Sequence, residues 1–109
     1  MIDGATIGHT AVKVKDMNGM IKMIEDLLGF HVSRKKGDGE IPSNVWFEEG
    51  LQLVHDPDFG GPEGRLHHLG ILVSDRDAMA QECKKRGFPE VRPNWYALPD
   101  GLVLEFLGK

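Results

Sequence analysis

At 109 residues the chain has room for one domain with one core, or for two small modules sharing a sheet. It is expected to lack both a membrane span and a secretory leader, since no apolar run reaches the necessary length. A net charge of −4 argues against a nucleic-acid partner, and the lone Cys83 excludes an internal disulfide framework and fits a reducing, cytoplasmic compartment.

The first predicted element is a strand over residues 7–14, apolar or neutral except at His9 and Lys13. Asp16 is a fitting N-cap for the helix that follows, because its carboxylate can accept the free amides of the first turn. Met17, Met20, Ile21, Ile24, Leu27 and Leu28 form an apolar stripe at helical spacing. Gly29 closes the helix at the position that tolerates a left-handed backbone. Short strands follow, punctuated by Gly37-Asp38-Gly39 and Glu49-Gly50, and the last of them contains Gln52 in Leu51-Gln52-Leu53-Val54. Residues 56–65 are rich in Gly and Pro and read as a linker.

The order then repeats. A strand from His68 to Val73 leads into a helix capped by Asp75 and ended by Gly87, with Ala78, Met79 and Cys83 facing inward. Cys83 is read as packing, since no catalytic motif surrounds it. Turns at Pro93-Asn94 and Pro99-Asp100-Gly101 punctuate further strands, and the last one carries Glu105 in Leu104-Glu105-Phe106-Leu107. His9 and His68 lie 59 residues apart and Gln52 and Glu105 lie 53 apart, so loop lengths differ between the halves. The expectation is an α+β chain with each half in the order βαβββ: module one over 1–55, the linker over 56–65, module two over 66–109.

Strand phase singles out four polar residues. Side chains two apart share a face. Val12 and Val14 oppose His9; Leu51 and Leu53 oppose Gln52; Leu69, Ile71 and Val73 oppose His68; Leu104 and Phe106 oppose Glu105. Each of the four strands has an apolar face for a helix and a second face with one metal-ligand type. A buried carboxylate without a partner is costly, so Glu105 needs an explanation. Two imidazoles, an amide and a carboxylate suit a borderline divalent metal. Trp46, Trp95 and Tyr96 are candidate walls of a substrate pocket, with plain packing an equal alternative. The basic runs 34–36 and 84–86 read as a solvated strand edge and a helix end, and either could touch an anionic substrate.

The ordered set of motifs resembles the vicinal oxygen chelate superfamily, the glyoxalase-like proteins. It runs from His9 through Val14-Lys15-Asp16, Leu28-Gly29-Phe30, Gly50-Leu51-Gln52-Leu53 and His67-His68 to Val73-Ser74-Asp75, Gly87-Phe88 and Leu104-Glu105-Phe106. The resemblance implies paired βαβββ modules forming a cupped, eight-stranded mixed sheet around one divalent metal ion per site (Zn, Ni, Co, Mn or Fe). It places His9, Gln52, His68 and Glu105 on the family's ligand positions, in an order similar to methylmalonyl-CoA epimerase and glyoxalase I. It implies a small-molecule substrate chelated through neighbouring oxygens, an enediolate or enolate stabilised by the metal, and Glu105 as catalytic proton shuttle. The chain is short for the segments with which some members hold coenzyme A or glutathione, which favours a smaller substrate. Alternatives on the same fold are an extradiol dioxygenase or fosfomycin-resistance type of metalloenzyme, which needs only His9, His68 and Glu105, and a metal-free bleomycin-resistance-like binding protein. Open sheet edges suggest a homodimer; the linker 56–65 leaves open whether the modules meet within a chain or between chains, and the resemblance favours sites shared between chains, His9 and Gln52 from one and His68 and Glu105 from its partner.

Overall fold

The computed structural model describes residues 4–61, 63–99 and 102–108. Asp100 and Gly101 of the expected turn at 99–101, and Pro62 of the expected linker, lie outside the described residues. The element order is β1 (Thr6–Val14), α1 (Met17–Leu28), β2 (Val32–Lys36), β3 (Asn44–Phe47), β4 (Leu51–His55), β5 (Leu66–Val73), α2 (Arg76–Lys85), β6 (Glu90–Arg92), β7 (Trp95–Ala97) and β8 (Val103–Gly108). The strands form an eight-stranded sheet in the order β2-β3-β4-β1-β5-β8-β7-β6. It is mixed: β1 with β4 and β5 with β8 are parallel, and the remaining registered pairs are antiparallel. This is the α+β architecture of the glyoxalase-like fold.

The chain divides into two units. One comprises Thr10–His67 and the other Met1–His9 with His68–Lys109. They are called here the Gln52 unit and the His68 unit.

In the Gln52 unit, α1 begins where the Asp16 carboxylate accepts from the Gly19 amide at 3.0 Å, a cap worth about 1 kcal/mol. It ends at Gly29 with φ 69°, whose amide returns to Glu25. Met17 and Ile21 are buried against Val14, Val45, Phe47 and Leu53, with Met20 and Ile24 packed beside them. The predicted stripe is shorter than expected. Leu27 is 71% exposed and Leu28 51%, because Leu27 falls at the margin of the stripe and Leu28 is the helix's last residue.

In the His68 unit, Asp75 caps α2 by accepting from the Ala78 amide at 3.0 Å, and Gly87 follows the helix with φ 78°. The core is Val73, Cys83, Tyr96 and Phe106, with Ile71, Met79, Ala80 and Leu104 around it. Ala80, not the expected Ala78, is the helix alanine packed on this core. In both units the core takes the strand residues predicted for the helix-facing side, so the opposite face is left to the four polar residues.

Candidate metal centre

Three of the four converge inside the His68 unit. His9 Nε2 lies 3.1 Å from His68 Nε2 and 3.2 Å from Glu105 Oε1, and His68 Nε2 lies 3.1 Å from the same carboxylate oxygen. His68 is 2% exposed, and His9 and Glu105 are half-buried. Gly70 makes the convergence possible. It pairs with Glu105 across β5 and β8, and the His9 ring lies over it. A Cβ at Gly70 would sit 2.5 Å from His9 Nε2 and 2.6 Å from Nδ1. The corresponding residue of the first half is Ala11, which pairs with Gln52. Sequence reasoning passed over Gly70, although a glycine inside a strand is a known sign of close approach.

Hydrogen bonding alone does not satisfy this triangle. An ionised carboxylate only accepts, and a neutral imidazole nitrogen either donates or accepts. If both Nε2 atoms donate to Glu105, two N–H groups face each other. If one accepts, its lone pair faces the carboxylate. A cation at the centre satisfies all three edges at once. For donors about 2.1 Å from a common ion, separations of 3.1–3.2 Å correspond to angles of about 95–99°, within the range of ordinary metal coordination. The donor set therefore fits a divalent metal. Burial works to raise the Glu105 pKa, but the polar contact and charge of the His68 and His9 rings beside it outweigh burial and bring it down to about 2. The carboxylate is thus ionised at neutral pH, as a ligand must be.

Gln52, in the other unit, is prepared in a different way. It is 5% exposed, and its Nε2 donates to Asn44 Oδ1 at 2.9 Å. Asn44 Nδ2 donates to Ser43 Oγ, whose hydroxyl donates to the Lys36 carbonyl. A backbone carbonyl can only accept, so the whole chain of bonds has one direction, and it orients the Gln52 amide. Among the described residues Gln52 Oε1 is left buried with no hydrogen-bond partner. An orphaned buried acceptor is unfavourable by about 1–3 kcal/mol unless a cation or donor meets it. Asn44 was not singled out in the sequence, because a polar residue two strands' length away has no periodicity to mark it.

The aromatic residues separate. Trp95 pairs with Glu105 across β7 and β8, and its ring centroid lies 4.2 Å from that of His68. Trp46 pairs with Gln52 across β3 and β4. Tyr96 is a correction: it is 0% exposed, in the core of the His68 unit on the face opposite Trp95. Its hydroxyl donates to Glu90 Oε2 at 2.9 Å, and burial together with that carboxylate pushes its pKa up to about 12. His9, His68 and Glu105 meet within one chain, because residues up to His9 belong with β5 and β8 in one unit; this is the within-chain arrangement that the linker had left open. A second group of ligand-type residues, His31, Glu48 and Glu49, is fully on the surface.

Residues 6–104 match the model of the Glyoxalase/Bleomycin resistance protein/Dioxygenase superfamily, and the chain belongs to that family. A curated relative, the uncharacterized protein YwbC of Bacillus subtilis (strain 168), is 27% identical over 104 residues, covering 87% of this chain and 82% of that one. Among solved structures, a Streptomyces coelicolor methylmalonyl-CoA epimerase in complex with 2-nitronate-propionyl-CoA superposes with a TM-score of 0.71 at 16% identity, covering 94% of this chain and 96% of that one. The 2,3-dioxygenase LapB from Pseudomonas sp. KL28 gives a TM-score of 0.71 at 14% identity, over 95% of this chain and 42% of that chain. At these identities the likeness is one of fold.

Proposed function

We propose that the chain is a divalent-metal-dependent enzyme of isomerase or lyase type, acting on a small molecule through two neighbouring oxygens. The observation that supports this most is the His9–His68–Glu105 triangle, which hydrogen bonding cannot satisfy. In this reading His9 Nε2, His68 Nε2 and Glu105 Oε1 hold the ion. Gln52 keeps its place in the proposed ligand set by motif order alone, and its Oε1 has no hydrogen-bond partner among the described residues. A divalent ion supplies Lewis acidity, polarising an oxygen of the substrate. Glu105 Oε1 carries the contacts to both imidazoles, which leaves Oε2 to take and return a proton at the carbon beside that oxygen. Trp95 limits the space beside His68.

The test is exchange of substrate protons with solvent deuterium, followed by NMR over small 2-oxo and 2-hydroxycarbonyl compounds with zinc, nickel, cobalt or manganese loaded in turn. Exchange by the unmutated chain, abolished in Glu105→Gln, supports the proton role. Exchange retained in that variant moves the base elsewhere.

A second reading is an extradiol-dioxygenase type of enzyme. It is favoured by the convergence of two imidazoles and one carboxylate without Gln52, a set typical of non-haem iron sites. Oxygen consumption on catechols with ferrous iron, and no deuterium exchange, would select it. A homodimer belongs to the proposal as an assembly of two complete triads, suggested by the exposed edge strands β2 and β6. A cytoplasmic location fits the free thiol of Cys83.

A further inference from the structure

Each unit carries an irregularity that sequence phase does not anticipate. In the His68 unit Glu90 pairs with Tyr96 and Arg92 with Trp95, so β6 advances two residues while β7 advances one. In the Gln52 unit Val32 pairs with Phe47 and Arg34 with Trp46, the same step in the equivalent place. In a regular strand Arg92 would share the face of Glu90, which reaches the core hydroxyl of Tyr96, and Arg34 would share the face of Val32, which packs on the core. The extra residue turns both arginines to the other face, and bulges at edge strands beside active sites characteristically re-aim a side chain in this way. Two equivalent rows result. One runs Arg92, Trp95, Glu105, Gly70 and the other Arg34, Trp46, Gln52, Ala11.

Both guanidiniums are stacked on their tryptophans, Arg92 Cζ at 5.1 Å and Arg34 Cζ at 4.0 Å from the ring centroids. Among the described residues neither has a carboxylate in ion-pair range, whereas Arg86 pairs with Glu82. Stacking uses the flat face of a guanidinium and leaves its in-plane N–H groups projecting, an arrangement suited to forked recognition of an oxyanion. Trp95 touches both Arg92 and His68, so the row leads from an exposed cation directly to the triad.

We propose that Arg92 binds an oxyanionic group, carboxylate or phosphate, on the same ligand whose oxygens are held at His9, His68 and Glu105, with Trp95 as the wall between them. Only the second half of that statement rests on the metal reading. Arg34 repeats the arrangement beside Gln52 in the other unit.

The test uses the zinc-loaded chain and three probes measured by calorimetry. Glycolate has the neighbouring oxygens alone, malate adds a second carboxylate, and 3-phosphoglycerate keeps the 2-hydroxy acid and adds a phosphate. Malate or 3-phosphoglycerate should bind about tenfold tighter than glycolate, and the one that does so identifies which oxyanion is read. Arg92→Leu should remove that excess while leaving zinc affinity and thermal midpoint unchanged, and Arg92→Lys should restore part of it. Equal affinity for all three probes, or an excess that survives Arg92→Leu, overturns the proposal. If zinc does not bind, the metal reading fails separately. Acetate and phosphate are then titrated into the zinc-free chain while the Arg92 Nε–H NMR signal is followed. Movement of that signal on addition of either anion supports an anion site, and a stationary signal overturns it.

Discussion

The two units use the same strand and helix order and the same aspartate N-caps, yet they differ at one paired position. In the His68 unit the residue across from Gly70 is Glu105, and His9 lies over the glycine. In the Gln52 unit the residue across from Ala11 is Gln52, whose amide is held by Asn44. One unit brings an anion to two imidazoles, and the other fixes a neutral carbonyl in a dry setting. The lesson is that a repeat can keep its fold while its two copies prepare their polar residues differently, with charge in one and a fixed orientation in the other.

The sharpest way to break this comparison is to exchange the chemistry of the paired residues. Glu105→Gln removes the charge from the triangle and should lower zinc affinity by on the order of 100-fold or more, whereas Gln52→Ala should lower it by about tenfold. Titration of zinc against a competing chelator reads both, and equal losses would contradict that difference. Gly70→Ala comes next. The added methyl group drives His9 from the triangle, so zinc affinity should fall by about 10- to 100-fold and stability by about 1–3 kcal/mol. Ala11→Gly in the other unit should cost about 0.5–1 kcal/mol and leave zinc affinity unchanged.

A smaller effect is expected from Asn44→Leu, which frees the Gln52 amide to turn and should weaken zinc binding about tenfold. Asn44→Asp keeps the acceptor and should keep the affinity. The side-chain amide signals of Gln52 in the zinc-free chain should shift in Asn44→Leu and stay in Asn44→Asp. Identical signals in all three chains would show that Asn44 does not orient the amide.

Much of this site was legible in the sequence, for a specific reason. Alternation along a strand is strict, so His9, Gln52, His68 and Glu105 stand out as polar exceptions on faces whose opposite sides read Val12-x-Val14, Leu51-x-Leu53, Ile71-x-Val73 and Leu104-x-Phe106, and those apolar residues do enter the two cores. The caps Asp16 and Asp75 were legible because capping is a local bond. What depends on pairing between distant segments was not. The bulges that turn Arg34 and Arg92 exist only in the register between strands. Tyr96 looked like a companion of Trp95, but adjacent strand residues face opposite ways, and only the pairing decides which faces the core. The meeting of His9 with His68 inside one chain is likewise a matter of which segments pair.

The smallest expected effect serves as a control on the surface. His31 Nδ1 lies 2.8 Å from Glu49 Oε2, and the hydrogen bond and charge of Glu49 raise the histidine's pKa above its ordinary 6.5. A raised folded value means that the contribution is fully present below the unfolded pKa and is lost as pH rises through the folded one. An NMR titration should show His31 above its ordinary value in the unmutated chain and lower in Glu49→Gln, where only Glu48 still raises it, with no change in zinc binding. Altered zinc affinity in that variant would show that the surface group of His31, Glu48 and Glu49 competes for the ion.

The most direct measurement is the metal content of the chain after reconstitution with zinc and exhaustive dialysis, beside His68→Ala prepared in the same way. About one ion per chain should remain in the unmutated protein and almost none in His68→Ala, with the circular dichroism spectra of the two superimposable. No retained metal in the unmutated protein, or equal retention in both, would contradict a metal centre at His9, His68 and Glu105.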